Sequence, residues 1–292
     1  MGTDKSCLNE CKLQTSYGLF RLMGVKKKIL DLANWIFPIG ILVSLVIVWE
    51  VLVRVVNVPS WQLPPPSAIL DELIVSKDLL FHHTLVTLKE IVVGFSVALV
   101  TGLTLASGIA YSRILERSVY PIIIASQTIP IIAIAPLLLI WVGYGLTPKV
   151  IIVALICFYP IAVNTVDGLK SIDPDMISMF RTLGASRFQV FTKLQVPNSL
   201  PFMFSGIKIG ISVSVIAAVI GEWVGGSEGL GYLITYSQPL FLTARVFAAI
   251  FLLSVMGIIL FVLGGMLGWN QNPPSLLSIC LLYTSPSPRD RG

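Results

Sequence analysis

The chain has 292 residues, of which 55% are hydrophobic and only 12% are charged, and its net charge is +5. Since a soluble domain carries about 25% charged residues, this composition excludes an ordinary soluble protein and indicates an integral membrane protein. The basic side chains are spread over several connections rather than gathered in one patch, which argues against a nucleic-acid partner.

Six apolar stretches are long enough to cross a hydrocarbon core, which needs about 20 residues per helix. They lack the alternating pattern of a membrane barrel, so helices are predicted, because helices satisfy the backbone within lipid. The predicted spans are residues 36–56, 87–110, 118–142, 148–166, 199–221 and 246–268. The predicted fold class is therefore an all-α membrane protein with about six transmembrane helices. No cleavable signal is expected, because the first apolar run lacks a clean small-residue cleavage site.

Lysine and arginine are concentrated in every second connection. They lie before the first span, between spans two and three, and after span four: Lys5, Lys12, Arg21, Lys26, Lys27, Lys28, Arg113, Arg117, Lys170, Arg181, Arg187 and Lys193. The other connections hold mainly Lys77, Lys89, Lys149 and Arg245. By the positive-inside rule the first set is cytoplasmic. We therefore expect a multi-pass protein of the plasma (inner) membrane, surrounded by lipid, with both termini in the cytoplasm.

Three segments are predicted along the chain. Residues 1–30 form a polar cytoplasmic segment, residues 31–268 form the transmembrane domain, and residues 269–292 form a tail rich in Pro and Ser that is disordered or foreign to the gene. Cys7 and Cys11 have a ligand-like spacing, but no second pair or nearby histidine completes a metal site. No metal is expected.

Proline residues within the spans mark candidate sites. Pro121, Pro130 and Pro136 lie in span three and Pro160 in span four, where they are expected to kink the helices. Polar side chains on kinked helices could line a translocation pathway, although hydrogen bonds within the bundle explain each of them nearly as well. The candidates are Gln127, Thr128, Pro130, Asn164 and, at the end of span five, Glu222. The simpler alternative for Glu222 is a hydrated residue at the membrane interface.

Other ionisable residues have ordinary explanations. Glu50 and Arg54 are four residues apart and are predicted to pair, and Lys208 in span five can snorkel or pair internally. His82 and His83 are placed in an external loop, and no catalytic constellation is recognisable around them. The chain has no G-x-x-x-x-G-K-[ST] motif, so it is not expected to bind ATP itself.

Residues 173–197 interrupt the apolar sequence with two short predicted helices. Asp173 and Pro174 form a helix start, Gly184 can end that helix in a left-handed conformation, and Ser186 with Gln189 forms a capping box. The second helix is expected to stop at Pro197. Apolar residues recur at helical spacing in both helices: Met176, Met179, Phe180, Leu183, Phe188, Phe191 and Leu194. They could lie on the membrane surface or insert into a groove of another protein.

The same segment resembles the cytoplasmic coupling loop of ABC-importer permeases, whose pattern is Glu-Ala-Ala, three residues, Gly, nine residues and Ile-x-Leu-Pro. Gly184 is followed after nine residues by Leu194-Gln195-Val196-Pro197, whereas Ser178, Met179 and Phe180 stand at the Glu-Ala-Ala positions. By this resemblance, the residues that contact an ATPase are Ser178, Met179, Phe180, Arg181, Gly184, Ala185, Ser186, Arg187, Leu194 and Pro197.

Further motifs are similar to those of particular branches of this family. Thr182–Ser186, Gly221-Glu222-Trp223 and Gly229-Leu230-Gly231-Tyr232 are similar to the nitrate/sulfonate/taurine-type branch. Gln127–Pro130 and Pro160–Gly168 look closer to permeases for thiamine-precursor pyrimidines or riboflavin.

The resemblance implies a type I permease fold that works as a homodimer with separate ATPase subunits and an external solute-binding protein. ATP and Mg would be bound by the ATPase, so this chain would be neither an enzyme nor a cofactor carrier. It would import a small polar or heterocyclic nutrient. An ion-gradient-driven transporter or channel is the main alternative, although no clear internal repeat supports it. An intramembrane enzyme would need a nucleophile and base within the spans, and none is visible.

Overall fold

The computed structural model describes residue 37 and residues 40–269. The predicted N-terminal segment 1–30 and the tail from residue 270 onward lie outside the described residues. The described helices are α1 (residues 40–55), α2 (Pro66–Val75), α3 (Lys77–Tyr111), α4 (Arg113–Ser126), α5 (Ile131–Val142), α6 (Leu146–Lys170), α7 (Pro174–Thr182), α8 (Arg187–Val190), α9 (Val196–Gly225), α10 (Leu230–Ser237) and α11 (Thr243–Trp269). The described part of the chain contains no strand, which confirms the predicted all-helical fold class.

Four helical segments in the described ranges are long and apolar enough to cross a membrane: Lys77–Tyr111, Leu146–Lys170, Arg187–Gly225 and Thr243–Met266. They overlap the second, fourth, fifth and sixth predicted spans. The first predicted span begins outside the described residues, and its residues 40–55 are helical. The full number of six spans therefore stays a prediction.

The third predicted span, residues 118–142, consists of two helices rather than one. α4 and α5 are bent by 100° at the break between them. Pro130 is the N-cap of α5 in an extended conformation, and a residue that precedes a proline avoids the helical region. Pro121, Pro136 and Pro160 remain inside helices. Together α4 and α5 are long and apolar enough to form one broken span, and the break lies at Pro130, where the chain leaves the helix. A single crossing by this pair stays a prediction.

The core of the bundle forms where α6 packs against both α3 and α9. Small residues allow these helices to approach closely. A Cβ added at Gly206 of α9 would lie 2.6 Å from the carbonyl oxygen of Pro160, and one added at Gly102 of α3 would lie 3.0 Å from Ile161. No side chain fits at Gly206 without a shift of α6, so this glycine allows α9 and α6 to approach closely.

α8 and α9 form one continuous helical rod through a π-helical turn at Phe191–Gln195. The backbone N–H of Val196 donates to the carbonyl oxygen of Phe191, five residues earlier. Pro197 lies in the first turn of α9, where its missing N–H is tolerated because the π turn has changed the hydrogen-bond register. The prediction that the helix stops at Pro197 is therefore wrong.

Among the described residues, 40–70 belong to one compact unit and 71–269 to another. Within the first unit, Arg54 Nε donates to Glu50 Oε1 at 2.6 Å, which confirms the predicted pair. The backbone N–H of Ser67 also donates to Glu50 Oε2, at 3.1 Å. Glu50 therefore fixes the proline-rich connection after α1 to α1 itself.

Candidate functional site

The loop between α6 and α9 has the local structure that its sequence predicts. The side chain of Asp173 accepts a hydrogen bond from the backbone N–H of Asp175 at 2.9 Å, and Pro174 opens α7. Gly184 has a φ of +82°, which a residue with a Cβ adopts only at a cost. Ser186 and Gln189 form a capping box, with Gln189 Oε1 accepting from the Ser186 N–H at 2.8 Å. These caps define the start of both helices and the turn between them.

One side of the loop is packed against the start of the rod formed by α8 and α9. Ile172, Val190 and Leu194 are buried there, and Ile177, Phe180 and Ala185 pack against them. This cluster fixes α7 onto the rod. Leu194, Phe180 and Ala185, three of the predicted coupling residues, therefore support the loop from inside rather than forming its outer surface.

The other side of the loop presents apolar side chains to the outside. We call Met176, Met179, Leu183 and Phe188 the exposed apolar face. Leu183 is 75% exposed and Phe188 is 66% exposed. The remaining predicted coupling residues that are exposed beside it are Ser178, Arg181, Gly184, Ser186, Arg187 and Pro197. Such a face, rimmed by basic and polar groups, is typical of a site that another surface covers.

The predicted pathway residues lie in separate surroundings. Gln127, Thr128 and Pro130 are exposed at the break between α4 and α5. Asn164 Nδ2 donates to the Pro160 carbonyl oxygen at 2.8 Å within α6, and its Cβ faces Gly206. Hydrogen bonding within the bundle is what the structure shows for Asn164. A pathway role for these four residues stays a prediction.

Glu222 is buried at the opposite end of the rod and is only 1% exposed. Its Oε1 accepts a hydrogen bond from the Thr87 hydroxyl of α3 at 2.6 Å, and its Oε2 accepts from the backbone N–H of Gly231. The expectation of a hydrated interface residue is wrong, because the turn after α9 folds back so that Gly229 and Gly231 lie against this carboxylate.

Three consecutive backbone N–H groups at the start of α10 are bound by side chains of other helices. The N–H of Gly229 donates to His83 Nδ1 at 3.0 Å, that of Leu230 donates to Thr87 Oγ1 at 2.9 Å, and that of Gly231 donates to Glu222. Because Gly229 is the N-cap and has no side chain, α10 cannot cap itself. α3 and α9 supply the caps instead.

The placement of His82 and His83 in an external loop is wrong. Both lie within α3, which begins at Lys77, ten residues before the predicted span. His83 is buried, whereas the imidazole of His82 lies at the surface, 3.8 Å from the Glu228 carboxylate. His83, Thr87 and Glu90 are separated by four and three residues, so helical spacing was the signal that could have grouped them.

A buried ion pair lies beside these caps. Lys149 Nζ of α6 donates to Glu90 Oε1 of α3 at 2.7 Å and to the Glu228 carbonyl oxygen at 3.0 Å. Glu90 is 1% exposed and Lys149 is 5% exposed. We call His83, Thr87, Glu90, Lys149 and Glu222 the buried polar cluster. It connects α3, α6 and α9 to the turn before α10.

Lys208, expected to snorkel or to pair internally, lies midway along α9. It lines a cavity of about 620 Å³ together with Val262, Gly265 and Met266 of α11. The cavity is largely apolar, and Lys208 places one basic side chain at its wall.

Comparisons with known proteins agree with this architecture. Residues 98–268 match the family described as binding-protein-dependent transport system inner membrane component. The chain is 40% identical over 223 residues to the formylaminopyrimidine transport permease protein ThiX of Halalkalibacterium halodurans, which covers 76% of this chain and 89% of that protein.

Other relatives carry different substrate names. The chain is 39% identical over 228 residues to the riboflavin transport system permease protein RibX of Chloroflexus aurantiacus, covering 77% of this chain and 85% of that protein. It is 28% identical over 229 residues to the taurine transport system permease protein TauC of Escherichia coli, covering 76% of this chain and 83% of that protein.

Solved structures show a similar fold. A chain of the MetNI methionine ABC transporter in an inward-facing conformation superimposes with a TM-score of 0.58 and 21% identity, covering 68% of this chain and 98% of that chain. At this level of identity the likeness concerns the fold alone.

Proposed function

The chain belongs to the family of binding-protein-dependent transport system inner membrane components, and from this premise we propose how this permease subunit of an ABC importer works and what it carries. Its cargo is a nitrogen-containing heterocycle of the aminopyrimidine or flavin class. The support for this cargo is the higher identity to the formylaminopyrimidine and riboflavin permeases, 40% and 39%, than to the taurine permease, 28%.

The exposed apolar face is the observation that carries the proposed mechanism. Its four side chains lie on a loop that the Ile172, Val190 and Leu194 cluster holds against the rod. Full burial of one Leu, Phe or Met side chain contributes about 1.5–3 kcal/mol, so a groove that covered this face would bind the loop strongly. Membership of the family favours a groove on a separate ATPase subunit over lipid headgroups as the cover.

The charge distribution supports the orientation of the subunit. Lys170, Arg181, Arg187 and Lys193 surround the loop between α6 and α9, and by the positive-inside rule this basic charge favours a cytoplasmic position for the loop. The buried polar cluster then lies toward the exterior, where the partner would be a solute-binding protein. ATP and Mg bind to the ATPase, and two copies of this chain form the pathway between them.

ATP-driven movement of the ATPase subunits would displace the loop, and the rod would carry that displacement across the membrane. Such coupling requires that the loop make different contacts in the inward-open and outward-open states, because a ligand shifts an equilibrium only by its differential affinity for the two states.

Purification together with the partner ATPase tests this function. We expect Leu183→Asp and Phe188→Asp, which place a charge on the exposed apolar face, to abolish co-elution of the ATPase while membrane insertion is unchanged. Leu240→Asp is the matched control, since Leu240 is a 52% exposed leucine in the connection between α10 and α11. Unimpaired co-elution of the Leu183→Asp and Phe188→Asp proteins contradicts the proposal.

Uptake into proteoliposomes that contain ATP tests the cargo. The permease and its ATPase are reconstituted together, and separate samples receive the binding protein with formylaminopyrimidine, riboflavin or taurine. Accumulation of one of the two heterocycles, and none of taurine, is the expected result. Accumulation of taurine alone would overturn the assignment of the substrate class and leave the ATPase coupling intact.

A further inference from the structure

We propose that Glu222 and Thr87 are positioning residues of the transport cycle, which tie the start of α10 to α3 and α9 so that the turn before α10 follows the movement of the cytoplasmic loop. This inference rests on the proposed function, because it concerns how movement that the ATPase starts reaches the far end of the subunit. Neither residue contacts substrate in this role.

α10 depends on side chains from other helices for its start. Thr87 Oγ1 accepts from the Leu230 N–H at 2.9 Å and donates to Glu222 Oε1 at 2.6 Å, while Glu222 Oε2 accepts from Gly231. A single hydroxyl therefore links a carboxylate of α9, the backbone of α10 and the helix α3. A carboxylate at this position also interacts favourably with the N-terminal end of the helix dipole of α10.

The turn between α9 and α10 is bound by a third helix as well. Lys149 Nζ of α6 donates to the Glu228 carbonyl oxygen at 3.0 Å while it binds Glu90 of α3 at 2.7 Å. His83 Nδ1 accepts a hydrogen bond from the backbone N–H of Gly229 at 3.0 Å. The turn is thus fixed to all three helices that form the core, and it cannot move without them.

Glu222 and the last part of the loop between α6 and α9, from Arg187 onward, belong to one rod. Arg187–Gly225 is helical throughout, so Phe191 at its cytoplasmic part and Glu222 near its other end are separated by about 46 Å at about 1.5 Å per residue. A displacement of the loop reaches Glu222 along this helix, although Pro197 and Pro201 donate no backbone hydrogen bond within it. The bonds from Glu222 and Thr87 then pass it to α10.

A fluorescent reporter on the turn tests this inference in the complete complex. Ser227 is exposed in the turn, and Ser227→Cys can carry an environment-sensitive bimane label once Cys7, Cys11 and Cys280 are replaced by serine; the buried Cys157 is retained. The complex of permease and ATPase in nanodiscs is measured without nucleotide and with Mg-ATP and vanadate. Mg-ATP is the only ligand added besides vanadate, so no transported substrate is needed.

In the otherwise unchanged protein we expect trapping with Mg-ATP and vanadate, which leaves ADP and vanadate bound to the ATPase, to shift the bimane emission. Thr87→Val keeps the shape of the side chain but removes the hydroxyl and with it the bonds to Glu222 and Leu230, and we expect it to reduce this shift about fivefold, the effect of losing about 1 kcal/mol of coupling. Thr87→Ser, which keeps the hydroxyl, restores the shift. Thr101→Val is the matched control, because Thr101 is an exposed threonine of α3 whose hydroxyl bonds to Val97 of its own helix.

The outcomes separate this inference from the proposed function. If the ATPase does not co-purify with the labelled, otherwise unsubstituted permease, the proposed function fails. If the ATPase binds and hydrolyses ATP but the bimane emission does not respond, or if Thr87→Val responds as fully as Thr101→Val, the positioning role of Thr87 and Glu222 is overturned. If Thr87→Val loses ATP hydrolysis together with the shift, the residue acts on folding and the inference is also overturned.

Discussion

Lys149 Nζ of α6 lies 2.7 Å from Glu90 Oε1 of α3, and both side chains are buried. Glu222 is buried in the same cluster, so two carboxyl groups lie close to one ammonium group. Among the residues that the structure describes, Glu90 Oε2 has no hydrogen-bond partner. The lysine is therefore the charge on which the arrangement of this cluster depends.

Replacement of Lys149 by methionine removes this charge and leaves the carboxyl groups uncompensated. Breaking a buried pair by removing one partner costs about 3–5 kcal/mol, so Lys149→Met should strongly lower the melting temperature of the detergent-solubilised protein. The double variant Lys149→Met/Glu90→Leu should recover part of the loss, because no unpaired charge of that pair remains buried.

The control for Lys149→Met is Lys170→Met. Lys170 pairs with Glu116 at 2.9 Å, but the two side chains are 34% and 43% exposed. An exposed pair contributes about 0–1 kcal/mol, so the melting temperature should change little. Equal effects of the two substitutions would show that the buried pair has no special importance for stability.

Gly184 of the loop offers a test of coupling that is independent of the exposed side chains. Its φ of +82° favours glycine, and nothing lies within 4 Å of an added Cβ. Gly184→Asp strains the turn and adds a charge beside Leu183, so we expect it to abolish ATPase co-elution and ATP-driven uptake while membrane yield stays normal.

Gly143→Asp is the matched control for that substitution. Gly143 also has a positive φ, +88°, and open space around it, but it lies in the turn between α5 and α6 at the opposite end of the bundle. It carries the same kind of strain without touching the loop, and co-elution of the ATPase should persist. Wild-type uptake by Gly184→Asp would remove the loop from the coupling mechanism.

Gly206 is expected to be intolerant of any side chain because of the way α9 crosses α6. An added Cβ would meet the Pro160 carbonyl oxygen at 2.6 Å and the Cβ of Asn164 at 2.9 Å. Since backbone must move to relieve the first contact, Gly206→Ala should cost about 1–3 kcal/mol of stability, measured by thermal unfolding in detergent. A Cβ added at Gly265 of α11 would meet nothing within 4 Å, so Gly265→Ala is the control and should be neutral or stabilising. If Gly265→Ala lowers the stability as much as Gly206→Ala does, the packing explanation is wrong.

The sequence predicted what depends on near neighbours and on hydropathy. The caps at Asp173 and Ser186 and the turn at Gly184 use partners two to five residues away, so local residue types are enough to find them. The four long apolar helices follow from the length of apolar sequence that a membrane requires. These features needed no knowledge of the tertiary structure.

The buried polar cluster could not be assembled in this way. Lys149 and Glu90 are 59 residues apart in the chain, and His83 and Gly229 are 146 apart. Only the packing of α3, α6 and α9 brings them together. Pro130 poses a related difficulty, because Pro121, Pro136 and Pro160 look equivalent to it in sequence, and yet they remain within helices.

Glu72 gives a prediction for the dependence of stability on pH. Its Oε1 accepts hydrogen bonds from Arg245 Nε at 2.8 Å and from Ser76 Oγ at 2.6 Å. Partial burial raises the pKa of Glu72, but the bonds from Ser76 and Arg245 outweigh it, and the net pKa lies below its ordinary value of 4.5. The pair therefore stabilises the folded state at any pH above 4.5, and this contribution is lost as the pH falls through the lowered pKa.

Glu72→Gln should accordingly lower the free energy of unfolding by about 0.5–1 kcal/mol at neutral pH. The melting temperatures of wild type and variant should converge as the pH is lowered below 4.5, because the wild-type carboxylate then becomes protonated and loses its charged partner. Asp71→Asn, at an exposed neighbouring acid, is the control for a general charge effect. A gap between wild type and Glu72→Gln that widens under acid conditions would show that the carboxylate is not stabilised in the folded state, since a depressed pKa requires the gap to close.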